Sequence, residues 1–191
     1  MARPMEFDRD EAIARAVDAF WECGYGTISA SELAERMGIA KSSFYNTFGS
    51  KTEVLREAIT CYTVRKSALL QKTHSNGYVL DVLRKLLLDI AKRNDDGKGC
   101  LLVNTAIELS RHDAYIADLT RIGFDTMITA FAALIVVGQQ TGEIREDLDA
   151  KRQALIVVTG IAGLRVMAKS GFSTSEMKPF IDKILDGMAR S

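Results

Sequence analysis

The stretch MGIAKSSFYNTFGSK, residues 37–51, decides the fold of the N-terminal part of the chain. Gly38 lies between two short helical patterns, and glycine accepts the positive φ that a tight turn between two helices requires. The stretch therefore predicts a helix-turn-helix whose second helix spans roughly residues 40–47. Small and apolar side chains supply its predicted core: Leu33, Ala34, Met37, Ile39 and Phe44.

The rest of the chain carries helical signals as well. Of its 191 residues, 47% are hydrophobic, and the two prolines, Pro4 and Pro179, lie near the ends. No strand-like alternation of apolar and polar residues occurs, so the pattern predicts an all-α fold of about nine helices. We expect a three-helix helix-turn-helix domain over residues 1–52 and a helical domain over residues 53–191.

Several short motifs predict where helices begin. A serine followed three residues later by a glutamate forms a capping box, and this pattern occurs at Ser29, Ser50 and Ser173. Asp149 is a further predicted N-cap. The longest apolar runs are far shorter than the ~20 residues of a membrane-spanning helix, so the sequence predicts no membrane contact.

The composition excludes several classes of protein. Lysine and arginine balance aspartate and glutamate at 25 each, so any affinity for a polyanion must come from local arrangement. The three cysteines, Cys23, Cys61 and Cys100, are too widely spaced for a zinc site and odd in number for a disulfide framework. We therefore expect a cytoplasmic protein without a metal.

Local charge favours DNA binding by the helix-turn-helix. No aspartate or glutamate occurs from residue 36 to residue 52, and a carboxylate facing the phosphate backbone would be repelled. The predicted second helix instead offers short polar donors and acceptors, and Lys51 begins the following helix. The alternative is a tight helical hairpin whose polar residues only face water.

The run TISASELAERMGIAKSSFYNTFGSKTEVLREAI resembles the DNA-binding domain of the TetR family of bacterial transcriptional regulators, over roughly residues 8–60. The tyrosine, the following phenylalanine and the lysine in residues 39–51 have the family's spacing. The resemblance implies a homodimeric repressor that binds a palindromic double-stranded DNA operator and responds to a small-molecule effector, without a cofactor. It implies a DNA surface formed by Lys41, Ser42, Ser43, Tyr45, Asn46, Thr47 and Lys51.

Residues 150–169 predict a helix with apolar side chains on nearly every face. A helix of this kind is buried on all sides, so one side would pack inward and the other would meet a second subunit. With the last helix, whose apolar residues include Phe180, Ile181, Ile184, Leu185 and Met188, it would form a four-helix dimer interface. The alternative is the central helix of a monomer.

The C-terminal part also offers material for a small-molecule pocket. Apolar side chains on its predicted helices could line a cavity into which a few polar groups project, although plain core packing and solvated charges explain the same residues. The candidate effector contacts are Cys100, Asn104, Glu108, Phe124, Met127, Ile128, Phe131 and Arg165.

Cys100 stands at a predicted helix N-terminus beside Lys98. Both features favour the thiolate form of a cysteine. The segment GCLLVNTAIEL resembles the C-terminal domain of a NemR-like subgroup of TetR regulators, which includes electrophile sensors. An electrophile-modified Cys100 is therefore one candidate signal, and the alternative is a small, buried cysteine without a role.

The sequence gives little support for catalysis. The two histidines, His74 and His112, have no evident nucleophile or metal-ligand partners in the pattern, and no phosphate-binding loop occurs. We therefore expect a regulator and not an enzyme. The remaining rival is an all-α small-molecule binding protein whose helix-turn-helix no longer binds DNA.

Overall fold

The computed structural model describes residues 7–73, 78–92, 98–111 and 113–190, and these form nine α-helices. The predicted all-α fold is confirmed; apart from an isolated bridge between Ile144 and Ala189, the described ranges contain no β-structure. His74 and His112 lie outside the described residues. The helices are α1 (Arg9–Cys23), α2 (Ala30–Met37), α3 (Lys41–Phe48), α4 (Lys51–Thr73), α5 (Val79–Ala91), α6 (Leu101–Leu109), α7 (Ala114–Gln140), α8 (Ala150–Lys169) and α9 (Thr174–Asp186).

The chain divides into two compact units. The first comprises Met1–Val64 and Leu101–Gly123, and the second comprises Arg65–Cys100 and Phe124–Ser191. Helices α1 to α3, most of α4 and all of α6 therefore belong to the first unit. The predicted division at residue 52 concerns DNA binding and effector binding, and it stays a prediction.

Local hydrogen bonds begin the helices where the motifs indicate. The Ser29 hydroxyl accepts the Glu32 N–H while the Glu32 carboxylate accepts the Ser29 N–H, so the first capping box is confirmed. The box at Ser173 is confirmed in the same way, and Asp149 caps α8. Gly38 ends α2 with φ 74° and ψ 29°, the left-handed conformation that favours glycine.

The core of the first unit lies among α1, α2, α3 and the start of α4. Every residue of the predicted helix-turn-helix core is buried, and Phe44 and Leu33 are fully inaccessible. Burial of one such side chain contributes about 1.5–3 kcal/mol. The fully or almost fully buried residues here include Ala16, Phe20, Leu33, Ala34, Met37, Phe44, Val54, Leu55 and Ala58.

The second unit packs α5, the later part of α7, α8 and α9 around a larger apolar core. Helix α8 buries one side through Ala154, Val157 and Leu164 and exposes apolar residues on the other, as predicted. Helix α9 and the residues just after it turn most of their apolar side chains inward, and their part in a four-helix dimer interface stays a prediction. Ile181, Ile184, Leu185 and Met188 are buried, and Phe180 is exposed.

Helix α7 is long and apolar enough to cross a membrane by length and composition alone. Core helices have the same composition, and Phe131, Leu134 and Ile135 of α7 are buried in the core of the second unit. Burial within the protein therefore accounts for the apolar character of this helix.

Candidate nucleic-acid interface

Helix α3 has an apolar inner side and a polar outer side. Phe44 and Phe48, one helical turn apart, are both buried. Because residues four apart share one face of a helix, the side chains between Phe44 and Phe48 point away from this buried face. The six residues of α3 predicted to contact DNA are exposed, namely Lys41, Ser42, Tyr45 and Asn46, or half-buried, namely Ser43 and Thr47.

Aromatic and cationic contacts fix the orientation of α3. The Phe48 ring lies 6.0 Å from that of Phe44 and 6.3 Å from that of Phe7, measured between centroids. The Arg9 guanidinium lies 4.8 Å from the Phe48 centroid and pairs with Glu57 at 2.7 Å. The beginning of α1 thus packs against the inner side of the recognition helix, and Glu57 of α4 binds the Arg9 side chain that lies over Phe48.

The N-terminus of α3 differs from those of α1 and α2. Asp8 and Ser29 cap those two helices by accepting a backbone N–H, whereas Ala40 at the N-cap of α3 supplies no side-chain cap. The first-turn N–H groups of α3 are therefore left without a capping side chain, at the positive end of the helix dipole. Such a site suits an anion.

Lys51 has an internal role that the sequence did not predict. Its ammonium donates to the carbonyl oxygens of Tyr25 at 2.8 Å and Ile28 at 2.9 Å, and it lies 4.1 Å from the centroid of the Tyr25 ring. Burial lowers the pKa of Lys51, and the negative charge of Glu108 opposes that shift. Two of its three donors thus serve the turn between α1 and α2; contact with a phosphate stays a prediction.

Tyr25 connects that turn to its neighbours. Its hydroxyl hydrogen-bonds Thr52 Oγ1 at 2.9 Å, and its ring stacks on Phe20 with centroids 6.0 Å apart. In the sequence, only the position of this tyrosine between Gly24 and Gly26 indicates a turn here. That pattern does not predict which side chains the turn contacts.

Glu108, a predicted effector contact, instead binds the chain itself. One carboxylate oxygen accepts the Tyr25 N–H at 3.2 Å, and the other accepts the Gly26 N–H. Both oxygens of this exposed side chain are therefore engaged by backbone amides of the first unit. Its contact with an effector stays a prediction.

The other predicted effector residues fall in both units. Half-buried Asn104 lies on α6 in the first unit, and Cys100 immediately precedes that helix. In the second unit Ile128 and Phe131 are buried in the core, and half-buried side chains pack around it. The half-buried predicted contacts there are Phe124 and Met127 on α7 and Arg165 on α8.

One cavity of about 330 Å³ lies beside the end of α1 and the start of α2, and none of the predicted effector residues lines it. Two glutamates and an arginine that pairs with Glu22 at 2.9 Å make its wall polar. Its lining residues are Cys23, Thr27, Ile28, Glu32, Glu35 and Arg36. Among the residues with described positions, no group of three histidine, cysteine or acidic side chains could hold a metal ion.

A short helix with a polar outer side, presented after a glycine turn, is the recognition element of a helix-turn-helix transcriptional regulator. Residues 12–58 match the family described as bacterial regulatory proteins, tetR family, and residues 80–183 match the tetracyclin repressor-like C-terminal domain. The chain belongs to the TetR family of bacterial regulatory proteins. Regulators of this family are homodimers that bind small-molecule effectors.

Relatives of similar length carry related names. The chain is 26% identical over 187 residues to YezE of Bacillus subtilis, an uncharacterized HTH-type transcriptional regulator, covering 95% of this chain and 96% of that one. It is 25% identical over 194 residues to the transcriptional repressor DhaR of Mycobacterium sp., covering 96% and 93%. These relatives are transcriptional regulators and not enzymes.

Solved structures share the fold over almost the whole chain. A cysteine-substituted form of the TetR-family regulator CifR, complexed with 26-bp double-strand operator DNA, has a TM-score of 0.79 and 27% identity, covering 98% of this chain and 100% of that one. The reduced form of Escherichia coli NemR has a TM-score of 0.83 at 18% identity, covering 96% and 98%, which shows a likeness of fold.

We predict that Lys51→Met destabilises the protein by about 1–3 kcal/mol, because it keeps the aliphatic stem but leaves two turn carbonyls without their charged donor. The free energy of unfolding in urea measures this effect. The matched control is Lys41→Met on the exposed side of α3, which should change stability by less than about 0.5 kcal/mol. Equal values for the two variants would show that the ammonium of Lys51 does not stabilise the turn.

Proposed function

We propose that this protein is a ligand-responsive transcriptional repressor that binds a palindromic DNA operator as a homodimer through α3. The observation that carries the proposal is the combination of a buried aromatic side and an exposed, acid-free polar side on one short helix. The relative CifR, which is complexed with operator DNA, supports it at 27% identity. The repressors DhaR and ComR support the direction of regulation.

The side chains on α3 divide by chemistry into two roles. Ser42, Ser43, Asn46 and Thr47 are short hydrogen-bonding groups suited to base edges in a major groove, and Asn46 can form two bonds to adenine. Lys41 and the hydroxyl of Tyr45 suit phosphate oxygens. In this proposal residues 1–52 bind DNA, and residues 53–191 bind the effector and the second subunit.

Phosphate binding centres on the first turn of α3. Lys41 forms no ion pair with a described residue, and the adjacent first-turn N–H groups lack a capping side chain. A phosphate there would receive backbone hydrogen bonds and a cation together. Lys51 has one further N–H for a second phosphate while its other two hold the turn.

We predict that Lys41→Met weakens binding to all duplexes and lowers the salt slope of log K by about 1, because one phosphate contact is lost.

Asn46→Ala should instead change base preference at one operator position, at a cost of about 1–3 kcal/mol. Fluorescence anisotropy on a selected operator at several salt concentrations measures both.

The control for this prediction is Lys92→Met, which removes an exposed cation of the second unit that pairs with Asp89. If it lowers the salt slope as much as Lys41→Met does, the slope reports total charge and the α3 assignment is wrong.

Self-association is assigned to the exposed side of α8. Leu155, Ile156, Val166 and Met167 are 38–52% exposed although they are large and apolar. Gly163 lies on the same exposed side, and a β-carbon built there would have no described atom within 4 Å. Large apolar side chains around a glycine form a surface on which a second copy of the helix can pack closely.

We predict that Ile156→Glu converts the dimer to a monomer, because it would bury a carboxylate without a partner at the interface. Sedimentation equilibrium measures the mass. The matched control is Ile107→Glu on α6, which places the same charge at a 72% exposed isoleucine of the first unit. A dimer that survives Ile156→Glu would exclude α8 from the interface.

Effector binding is assigned to the second unit, with Phe124 and Met127 as apolar contacts and Arg165 as a polar one. All three side chains are half-buried, so each has both packing and access. Ligand binding lowers operator affinity only through the difference in its affinity for two conformations of the dimer.

Cys100 is proposed as an alternative site of regulation, at which an electrophile modifies the thiol. It immediately precedes α6, and all three cysteines are half-buried. We predict that N-ethylmaleimide alkylates Cys100 faster than Cys23 or Cys61, as followed by mass spectrometry, and lowers operator affinity. Cys100→Ser should abolish that loss of affinity, and equal reactivity of the three thiols would end the sensor assignment.

A selection from genomic fragments, followed by gel shifts against the gene's own upstream region, tests the function as a whole. Binding to a palindromic site confirms a DNA-binding regulator. Failure of the wild-type dimer to bind any duplex at modest ionic strength would favour the rival, a small-molecule binding protein with an inactive helix-turn-helix. The proposed location of the protein is the cytoplasm, where both DNA and reduced thiols occur.

A further inference from the structure

The position of Glu108 is not explained by its own helix. It lies in the last turn of α6, where the helix dipole is negative and a carboxylate is unfavourable. Its side chain nevertheless adopts one defined contact, in which its two oxygens accept the N–H groups of Tyr25 and Gly26. Consecutive N–H groups aimed at one anion form a small anion-binding concavity.

The same turn is bound by Lys51 through its carbonyl groups. Glu108 holds the amide N–H of Tyr25 and Lys51 holds the carbonyl oxygen of that residue, so the two charges bind the two ends of one residue's backbone. The charge of Glu108 also favours the protonated form of Lys51 against the effect of burial. The two side chains therefore act on the turn together.

Gly26 makes the contact with Glu108 sterically possible. A β-carbon added to Gly26 would lie 2.7 Å from the Glu108 carboxylate oxygen, much closer than an ordinary contact. The glycine is not in the left-handed region, so alanine at this position would be accepted by the backbone. Alanine would thus displace the carboxylate without straining the turn.

We propose that Glu108 is a positioning residue for DNA binding, which holds the α1–α2 turn and through it Lys51 in the arrangement that binds the operator. This inference rests on the proposed function. It assigns a favourable role in DNA binding to an acidic side chain from outside the helix-turn-helix.

The contact also gives α6 a means of controlling DNA affinity. Cys100 immediately precedes α6 and Glu108 lies near its end, about 12 Å further along the helix axis. Because an α-helix moves as a rigid rod over this length, a shift at its first turn displaces the carboxylate from the turn. Release of the turn would then free Lys51 from its fixed position.

The test compares Glu108→Gln, Gly26→Ala and the double variant with the wild-type dimer. Removing a negative charge normally strengthens binding to DNA, but loss of the contact should weaken it. We expect each single variant to lower operator affinity at least about fivefold. Because both substitutions break the same contact, their effects should not add. The double variant should therefore bind the operator no more weakly than the weaker-binding single variant.

The matched control is Asp118→Asn, which removes an exposed carboxylate of the same unit that has no described hydrogen bond or ion pair. It should leave affinity unchanged or slightly raised. Circular dichroism at the assay temperature confirms that each variant is folded. Amide hydrogen exchange should show faster exchange at Tyr25 and Gly26 in Glu108→Gln than in the wild type.

Three outcomes would overturn the inference while the wild type binds its operator: unchanged or tighter binding by Glu108→Gln, multiplying losses in the double variant, or unchanged amide exchange. Failure of the wild type to bind any duplex would instead contradict the proposed function itself.

Discussion

The packing of Phe44 and Phe48 against the rest of the first unit is the constraint on which the recognition surface depends. An isolated eight-residue helix is unstable in water, so α3 exists because its inner side is buried. Once these two rings are fixed, the 100° rotation per residue determines where every other side chain of α3 points. The direction of Lys41, Tyr45 and Asn46 is thus a consequence of core packing, and in the proposed complex the same contacts that fold the helix would orient it for DNA.

Backbone polar groups impose a second constraint at the turn between α1 and α2. Its amides and carbonyls lie outside the helices and must find other partners. Glu108 supplies an acceptor for two N–H groups and Lys51 supplies donors for two carbonyls. The turn is thereby held by charged side chains from α6 and α4, which join parts of the chain that are far apart in sequence.

The sequence predicted those features that depend on neighbouring residues. The capping boxes at Ser29 and Ser173 and the glycine turn at Gly38 involve contacts within three or four positions, and the structure confirms them. The contact of Glu108 with Tyr25 spans 83 positions, and no sequence motif indicates it.

The sequence shows the apolar stripe of α9, but a stripe does not indicate whether the helix packs against its own chain or against a second copy. Most of it, including Ile181, packs inward.

Charge shows why a neutral chain can present a surface to DNA. Residues 1–52 contain eight acids and six bases, which on a simple count would disfavour DNA binding. Several of these acids are engaged locally: Glu11 pairs with Arg15, Glu22 with Arg36, and Glu32 caps α2.

An ion-paired charge has a weak field beyond about 8 Å at physiological salt, because the partner cancels it and the solution screens what remains. In the proposed complex, the positive field near the phosphates would therefore come from Lys41 and the uncapped N-terminus of α3. With so few cations, counterion release supplies only part of the affinity. In the proposed interface, hydrogen bonds from the short polar side chains would supply much of the rest, so sequence recognition and affinity would reside in the same residues of α3.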